Sequence, residues 1–167
     1  MFENLCSNCN HKNCCTDSAV PLVFANDLKK IMNEDPEYIK NIKTINIKGR
    51  QVNALKKKEA STECTYWNEK TGQCRIYNAR PIDCRLYPFD IIQIKNSYYW
   101  IVYSCNKDSD WRWSENHLTT LENDESFKHL MNDFDVFSDH TKMILPNESE
   151  KTPYVILRKV VWNKLES

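Results

Sequence analysis

The middle of the chain contains the sequence Arg80-Pro81-Ile82-Asp83-Cys84-Arg85-Leu86-Tyr87-Pro88-Phe89. A proline fixes its own φ angle, has no backbone N–H and restricts the residue before it. Pro81 and Pro88 should therefore stop regular structure on both sides of Cys84. We predict that Cys84 lies in a stiff, irregular segment, which is suited to holding a metal ligand in place.

Two more cysteines precede this segment at equal spacing, because nine residues separate Cys64 from Cys74 and nine separate Cys74 from Cys84. The segments 64–67 and 74–77 flank the turn-forming stretch 68–72, whose Gly72 can supply a positive φ angle. This pattern predicts a β-hairpin with one cysteine on each arm. Such a hairpin can bring two distant sulfur atoms to one metal.

The first group of cysteines along the chain lies at the amino terminus, in the pattern Cys6-x2-Cys9-x4-Cys14-Cys15, and the three cysteines described above form the second group. Crowded thiolates are soft ligands, and several sulfurs that converge on one point usually hold zinc or an iron–sulfur cluster. Cys105 follows a predicted strand and is the eighth cysteine. The predicted metal ligands are Cys6, Cys9, Cys14, Cys15, Cys64, Cys74, Cys84 and Cys105.

The number of sulfurs favours an iron–sulfur cluster over zinc. A single tetrahedral zinc uses four ligands, whereas eight cysteines match two four-thiolate sites or one cluster with a supporting second shell. Cys14 and Cys15 are adjacent, so their side chains diverge, and the pair either bridges two sites or gives one ligand and one packed thiol. Two alternatives stay open: His11 could replace a sulfur, and an even number of cysteines could instead form disulfides.

The composition is that of one ordinary globular domain. The chain has 167 residues with 41% hydrophobic and 28% charged residues, and its 23 basic residues balance 23 acidic ones. This balance gives no electrostatic reason to expect nucleic acid or an anionic membrane as a partner, so we expect an as yet unknown protein partner. Only two glycines occur, which excludes a glycine-rich phosphate loop.

The amino terminus lacks the basic start and apolar run of a secretory signal, and no stretch reaches the length needed to span a bilayer. We therefore expect a cytoplasmic location. In that reducing compartment, clustered cysteines are read more readily as metal ligands than as disulfides.

The pattern of apolar and turn-forming residues predicts a small α+β single domain over 1–167. In this interpretation β-hairpins surround a cysteine-rich metal-binding region at 6–105, and 106–167 form a C-terminal helical and strand extension. The predicted elements are an apolar run at 20–24, a short helix capped at Asn26 or Asp27, a second helical turn after 35–37, a hairpin of 45–47 with 52–55, a hairpin of 91–95 with 98–103, a helical region from Trp113 and a last strand at 154–162. Apolar residues at helical spacing in the C-terminal part are predicted to be core: Leu118, Leu121, Phe127, Leu130, Met131, Phe134 and Phe137.

Several polar residues have two interpretations. Arg80 and Arg85 flank Cys84 and either neutralise a thiolate cluster or form structural salt bridges. Three histidines of the C-terminal part are expected to be solvated or to cap helices, and an acidic stretch there is expected to be a solvated helix end: His117, His129, His140, Asp133, Asp135 and Asp139.

The second group of cysteines carries a family resemblance. The residues concerned are Gly72, Cys74, Ile76, Tyr77, Arg80, Pro81, Cys84, Arg85, Tyr87, Pro88 and Phe89. With the first cysteine group they make residues 6–105 resemble the YkgJ-type cysteine-cluster family, which is described as a zinc- or iron-chelating domain and often as an iron–sulfur protein. The first group departs from the family pattern in its longer spacing, since Asn10-His11-Lys12-Asn13 precede the Cys-Cys pair.

Two classes of function follow from these observations. The first is a metal-binding protein that holds an iron–sulfur cluster or zinc and acts in redox chemistry, metal handling or sensing. The second is implied by the resemblance alone, because similar domains occur in flagellin lysine N-methylases, which transfer a methyl group from S-adenosylmethionine to lysine. The sequence offers no glycine-rich cofactor loop and no acid–base constellation, so no catalytic residue is predicted and enzyme activity stays open.

Overall fold

The computed structural model describes residues 20–103, 110–144 and 154–162. In these ranges the chain forms six α-helices and three small antiparallel sheets, so the predicted mixed α+β class is confirmed. The helices are α1 (Ala25–Glu34), α2 (Tyr38–Asn41), α3 (Ile82–Leu86), α4 (Ser114–Glu122), α5 (Glu125–Asn132) and α6 (Phe134–Ile144). The strands are β1 (Leu22–Val23), β2 (Ile42–Ile47), β3 (Arg50–Leu55), β4 (Trp67–Asn68), β5 (Gln73–Cys74), β6 (Phe89–Ile94), β7 (Ser97–Tyr103) and β8 (Tyr154–Lys159).

The first sheet has the order β1-β3-β2 and contains the predicted hairpin. Its turn residues Lys48 and Gly49 have φ angles of 48° and 89°. A two-residue hairpin turn whose twist matches that of the flanking strands needs positive φ angles at both of its residues. Glycine adopts such angles readily, which explains Gly49 at the second turn position. The predicted apolar run enters this sheet as β1, where Leu22 pairs with Ala54.

Helix α1 begins earlier than the sequence analysis predicted. Phe24, rather than Asn26 or Asp27, is the N-cap residue. Asp27 caps the helix from inside, because its carboxylate accepts a hydrogen bond of 3.3 Å from the Phe24 backbone N–H. The acidic residue was therefore correctly associated with the helix start, but it lies three residues after the cap.

The third sheet has the order β6-β7-β8 and confirms both the predicted hairpin and the predicted last strand. The last strand ends at Lys159, three residues before the predicted boundary at 162. Trp100 of β7 is fully buried, stacks on Phe127 with ring centroids 5.3 Å apart, and donates its indole N–H to Glu122 at 2.8 Å. This contact fixes the C-terminal helices on the sheet.

The main core contains the apolar stripe of the C-terminal helices, and all seven residues predicted for it are buried. The same cluster includes Leu22, Ile82 and Phe89, so the two parts of the chain share one core. A second, smaller cluster lies around Ile31 and Tyr66. Cys64 is buried within this smaller cluster, and Cys74 and Cys84 pack against it.

Among the residues that the structure describes, no helix is both long and apolar enough to cross a membrane.

Candidate metal centre

Three cysteines from three separate parts of the chain line one small cleft. Cys64 lies before β4, in an isolated bridge with Lys57, whereas Cys74 ends β5 and Cys84 lies in α3. The remaining lining residues are Pro21, Leu55, Ile76, Arg80 and Pro81. The cleft has a volume of about 20 Å³, which is enough for about one water-sized atom.

The predicted hairpin around Gly72 is present, but its strands have only two residues each. Trp67 pairs with Cys74, and Gly72 has a φ angle of +63°, as the turn requires. Cys64 lies outside the strands, where its carbonyl accepts a hydrogen bond of 2.9 Å from the Trp67 N–H. The hairpin therefore brings two of the predicted ligands to one cleft, although only one of them is on a strand.

Tyr66 holds this hairpin against α1. Its side chain is buried, and its hydroxyl donates a hydrogen bond of 2.8 Å to Asp35, the residue that follows α1. Burial and the neighbouring carboxylate raise the pKa of Tyr66, so the phenol stays protonated and acts as a donor. The position of Cys64, two residues earlier in the chain, is fixed by the same contact.

The prediction that Cys84 lies in an irregular segment is wrong. It lies in α3, a five-residue helix that begins directly after Pro81. A proline at the start of a helix does not remove an intrahelical hydrogen bond, because the first N–H groups of a helix have no intrahelical acceptor. The second proline acts as predicted, since α3 ends at Leu86 and the Tyr87-Pro88 peptide bond is cis.

Asp83 ties α3 to the first sheet. Its carboxylate accepts a hydrogen bond of 2.7 Å from the backbone N–H of Leu22 in β1. Burial raises the pKa of Asp83 to about 7, with the charges of Asp90 and Asp27 acting in the same direction and the Leu22 hydrogen bond opposing it. This contact brings Pro21, the residue before β1, to the wall of the cleft beside Cys84.

The two arginines that flank Cys84 have different environments. Arg85 is not among the residues that line the cleft, and it forms a salt bridge of 2.8 Å with Asp124, with Asp27 4.0 Å away. The structural interpretation is therefore correct for Arg85. Arg80 lines the cleft with the three cysteines, and its Nε donates a hydrogen bond of 3.1 Å to the Tyr77 carbonyl.

The chemistry of the lining fits a soft metal ion, but the described residues do not complete a site. No disulfide joins Cys64, Cys74 and Cys84 to one another. Within 20–103, 110–144 and 154–162, no group of three or more His, Cys, Asp or Glu side chains is placed so as to hold a metal ion on its own. Zinc sites and iron–sulfur clusters take four protein ligands as a rule. A four-ligand site at this cleft would therefore need ligands from outside the described residues.

Five of the predicted ligands lie outside the described residues: Cys6, Cys9, Cys14, Cys15 and Cys105. His11, the alternative ligand of the first group, also lies outside them. Pro21 and Leu55 were not predicted to form walls of the cleft. The predicted apolar run at 20–24, which contains Pro21, was the available signal.

Two histidines of the C-terminal part, His117 and His140, are less solvated than predicted, whereas His129 lies in the last turn of α5 with its side chain 36% exposed. His140 is buried, and this burial, with the charge of Lys43, lowers the pKa of His140 to about 4. His117 is half-buried against Phe89, with ring centroids 5.7 Å apart. Burial, together with the charge of Arg85, lowers the pKa of His117. Both residues are packing elements in the described structure.

The acidic stretch forms ion pairs with the first hairpin. Arg50 pairs with Asp133 and Asp135, and Lys48 pairs with Asp139 at 2.8 Å. These contacts join the β2–β3 turn to α6. The prediction of a solvated helix end fits Asp135, whose side chain is 71% exposed, but not Asp139, whose side chain is 19% exposed.

Comparison with known families gives one result. Residues 5–106 match the model of the CxxCxxCC family, described as a putative zinc- or iron-chelating domain. The chain belongs to this family. The match confirms the resemblance that the second cysteine group carries, and the family description supports metal binding. Comparisons with curated proteins and with solved structures give no match.

Proposed function

We propose that this member of the CxxCxxCC family binds a metal centre whose thiolate ligands include those of the cysteine cleft, and that the centre is an iron–sulfur cluster rather than zinc, because eight cysteines exceed the four ligands of a single zinc. The observation that carries the proposal is the convergence of Cys64, Cys74 and Cys84 on one cleft. The three residues come from different elements, so the fold as a whole, not local spacing, brings them together.

The first cysteine group is the natural source of the missing ligands. Five residues separate Cys15 from Pro21, which forms part of the cleft wall. A chain segment of this length spans at most about 20 Å when fully extended. The length of this segment therefore allows Cys14 and Cys15 to reach the cleft. Cys105 is connected instead to the end of β7, which it follows by two residues.

The walls of the cleft are mainly apolar and would shield a metal centre from water. Pro21, Leu55, Ile76 and Pro81 provide apolar or conformationally fixed surfaces around the sulfurs. Exclusion of water around a metal–thiolate centre controls its reduction potential and protects it from solvent. An iron–sulfur cluster would supply one-electron chemistry at this position, which supports a role in electron transfer, metal handling or sensing.

The test is anaerobic purification followed by measurement of iron, zinc and acid-labile sulfide per chain. We expect iron and sulfide together, and a brown protein that is bleached by dithionite. Colourless protein with stoichiometric zinc would show that the centre is a zinc site and contradict the iron–sulfur cluster, while the proposal of thiolate ligands would stand. Protein that contains neither metal, even after anaerobic incubation with iron or with zinc, would contradict metal binding itself.

A further inference from the structure

We propose that Arg80 is the residue that compensates the negative charge of the metal–thiolate centre and thereby sets its affinity. This inference rests on the proposed function, because it requires a metal at the cysteine cleft. It assigns a role that the sequence left open between Arg80 and Arg85.

The contacts of Arg80 hold its guanidinium in one place. The Nε atom donates to the Tyr77 carbonyl at 3.1 Å, and the guanidinium carbon lies 3.8 Å above the centre of the Tyr77 ring. Tyr77 itself belongs to the 3-10 turn Tyr77–Ala79, which connects the hairpin to the segment of α3. An arginine stacked on an aromatic ring loses little freedom when it meets an anion, because the planar group is already oriented.

In the part of the chain that the structure describes, no carboxylate pairs with the charge of Arg80. Among the described residues it forms no ion pair, although it is half-buried and lines the cleft with all three cysteines. Arg85 differs in this respect, since Asp124 and Asp27 already balance its charge. Among the described residues that line the cleft, Arg80 is the one cationic side chain.

A thiolate centre needs such a cation. Four thiolates around one zinc ion, or around an oxidised iron–sulfur core of charge +2, leave a net charge of about −2. A charge that is partly buried among apolar groups is costly unless an opposite charge lies near it. Arginine stays protonated at every relevant pH. Arg80 should therefore stabilise the loaded site, and its loss should weaken metal binding about 10- to 100-fold, as found for residues that surround first ligands.

The experiment measures the affinity of the metal-free protein for zinc alone, by anaerobic competition with a chromophoric chelator. The variants are Arg80→Gln, which removes the charge, and Arg80→Lys, which keeps it. Arg75→Gln is the matched control, because Arg75 also bonds a backbone carbonyl, Thr65 at 2.8 Å, and also lies over a tyrosine ring, Tyr66 at 5.7 Å. Arg75 does not line the cleft.

We expect at least a tenfold loss of zinc affinity in Arg80→Gln, a loss of only a few-fold in Arg80→Lys, and no change in Arg75→Gln. Wild-type affinity in Arg80→Gln would overturn the inference and leave the proposed function intact. An equal loss in Arg80→Lys would overturn it as well, since the role of Arg80 would then be structural. An equal loss in Arg75→Gln would show an effect of net charge alone, and would also overturn it.

Two further outcomes separate this inference from the proposed function. If the wild-type protein binds neither zinc nor iron, the proposed function fails, and the inference fails with it. If Arg80→Gln does not fold, as judged by urea unfolding of the metal-free form, the comparison of Arg80→Lys with wild type decides. A loss of tenfold or more in the lysine variant would then contradict charge compensation, and near-wild-type affinity would support it.

Discussion

The salt bridge between Arg85 and Asp124 connects the helix that carries Cys84 with the C-terminal helices. Asp124 is the N-cap residue of α5 and accepts a hydrogen bond of 2.8 Å from the Ser126 N–H. It pairs with Arg85 at 2.8 Å and with Lys30 at 3.2 Å, so α1, α3 and α5 meet at one carboxylate. We predict that Asp124→Asn lowers the free energy of unfolding while leaving the helix cap in place, because asparagine caps helices as well as aspartate does.

The magnitude follows from burial. Removal of one partner of a fully buried ion pair costs about 3–5 kcal/mol, since the other charge stays buried without compensation. Here the side chains of Asp124 and Arg85 are 19% and 22% exposed, and Asp27 stays within 4.0 Å of Arg85. We therefore expect a smaller loss of about 2 kcal/mol. Asp124→Ala should lose about 1 kcal/mol more, because it also removes the cap.

The effect should depend on pH in a defined direction. Burial alone would raise the pKa of Asp124, but hydrogen bonds from Arg85 and Ser126 and the charges of Arg85 and Lys30 hold it below its usual range. A carboxyl group with a lowered folded-state pKa contributes its stability above the unfolded-state pKa of about 4, and loses it as the pH falls through the folded-state value. The difference between wild type and Asp124→Asn should therefore be full at neutral pH and shrink in acid.

The assay is urea unfolding followed by tryptophan fluorescence, with all proteins in the same metal state. Asp135→Asn is the matched control, because Asp135 forms an ion pair of 3.1 Å with Arg50 but its side chain is 71% exposed. We expect the control to change the free energy of unfolding by less than about 0.5 kcal/mol. An equally small effect of Asp124→Asn would refute the reasoning, as would a difference that persists unchanged in acid.

Three further predictions concern the cleft, the core and the first hairpin. Cys84→Ser should lower the metal content and the stability together, since metal binding energy in such sites is part of the folding energy. Leu130→Ala, a control in the main core, should lower the free energy of unfolding by about 2–5 kcal/mol and keep the metal content per folded chain. Full metal content in Cys84→Ser would exclude this cysteine as a ligand. His140, whose folded-state pKa is lowered to about 4, should cause a loss of about 3 kcal/mol of stability as the pH falls from about 6.5 to 4, because the unfolded state binds the proton more readily; a His140→Gln variant that keeps the same acid dependence in urea titrations would contradict this assignment. Gly49→Ala should cost about 1 kcal/mol because of the φ angle of +89°, and Gly49→Asn should cost less, so equal thermal midpoints for glycine and alanine would contradict the turn assignment.

The elements that the sequence predicted well are those specified by neighbouring residues. The turns at Gly49 and Gly72 need positive φ angles, and glycine signals that need locally. The apolar spacing of the C-terminal helices likewise records one buried face of each helix. In both cases the physical cause lies within a few residues of the pattern, so the sequence alone was sufficient.

The features that the sequence could not predict depend on distant contacts. Pro81 signals an interruption, but it does not distinguish a loop from the start of a helix, and α3 is held in place by the hydrogen bond from Leu22 to Asp83. Arg85 and Arg80 are equally close to Cys84 in sequence. Their roles differ because Asp124, 39 residues after Arg85, takes one of them as its partner. Tertiary structure, not the motif, separates the two arginines.

The most direct test of the central claim, that cysteine sulfurs from distant parts of the chain meet at one metal, is X-ray absorption at the edge of the metal that the protein contains. We predict a first shell dominated by sulfur, at about 2.3 Å for zinc or iron. The sulfur signal should fall in the Cys64→Ser, Cys74→Ser and Cys84→Ser variants. A first shell made only of nitrogen and oxygen at about 2.0–2.2 Å would contradict the account.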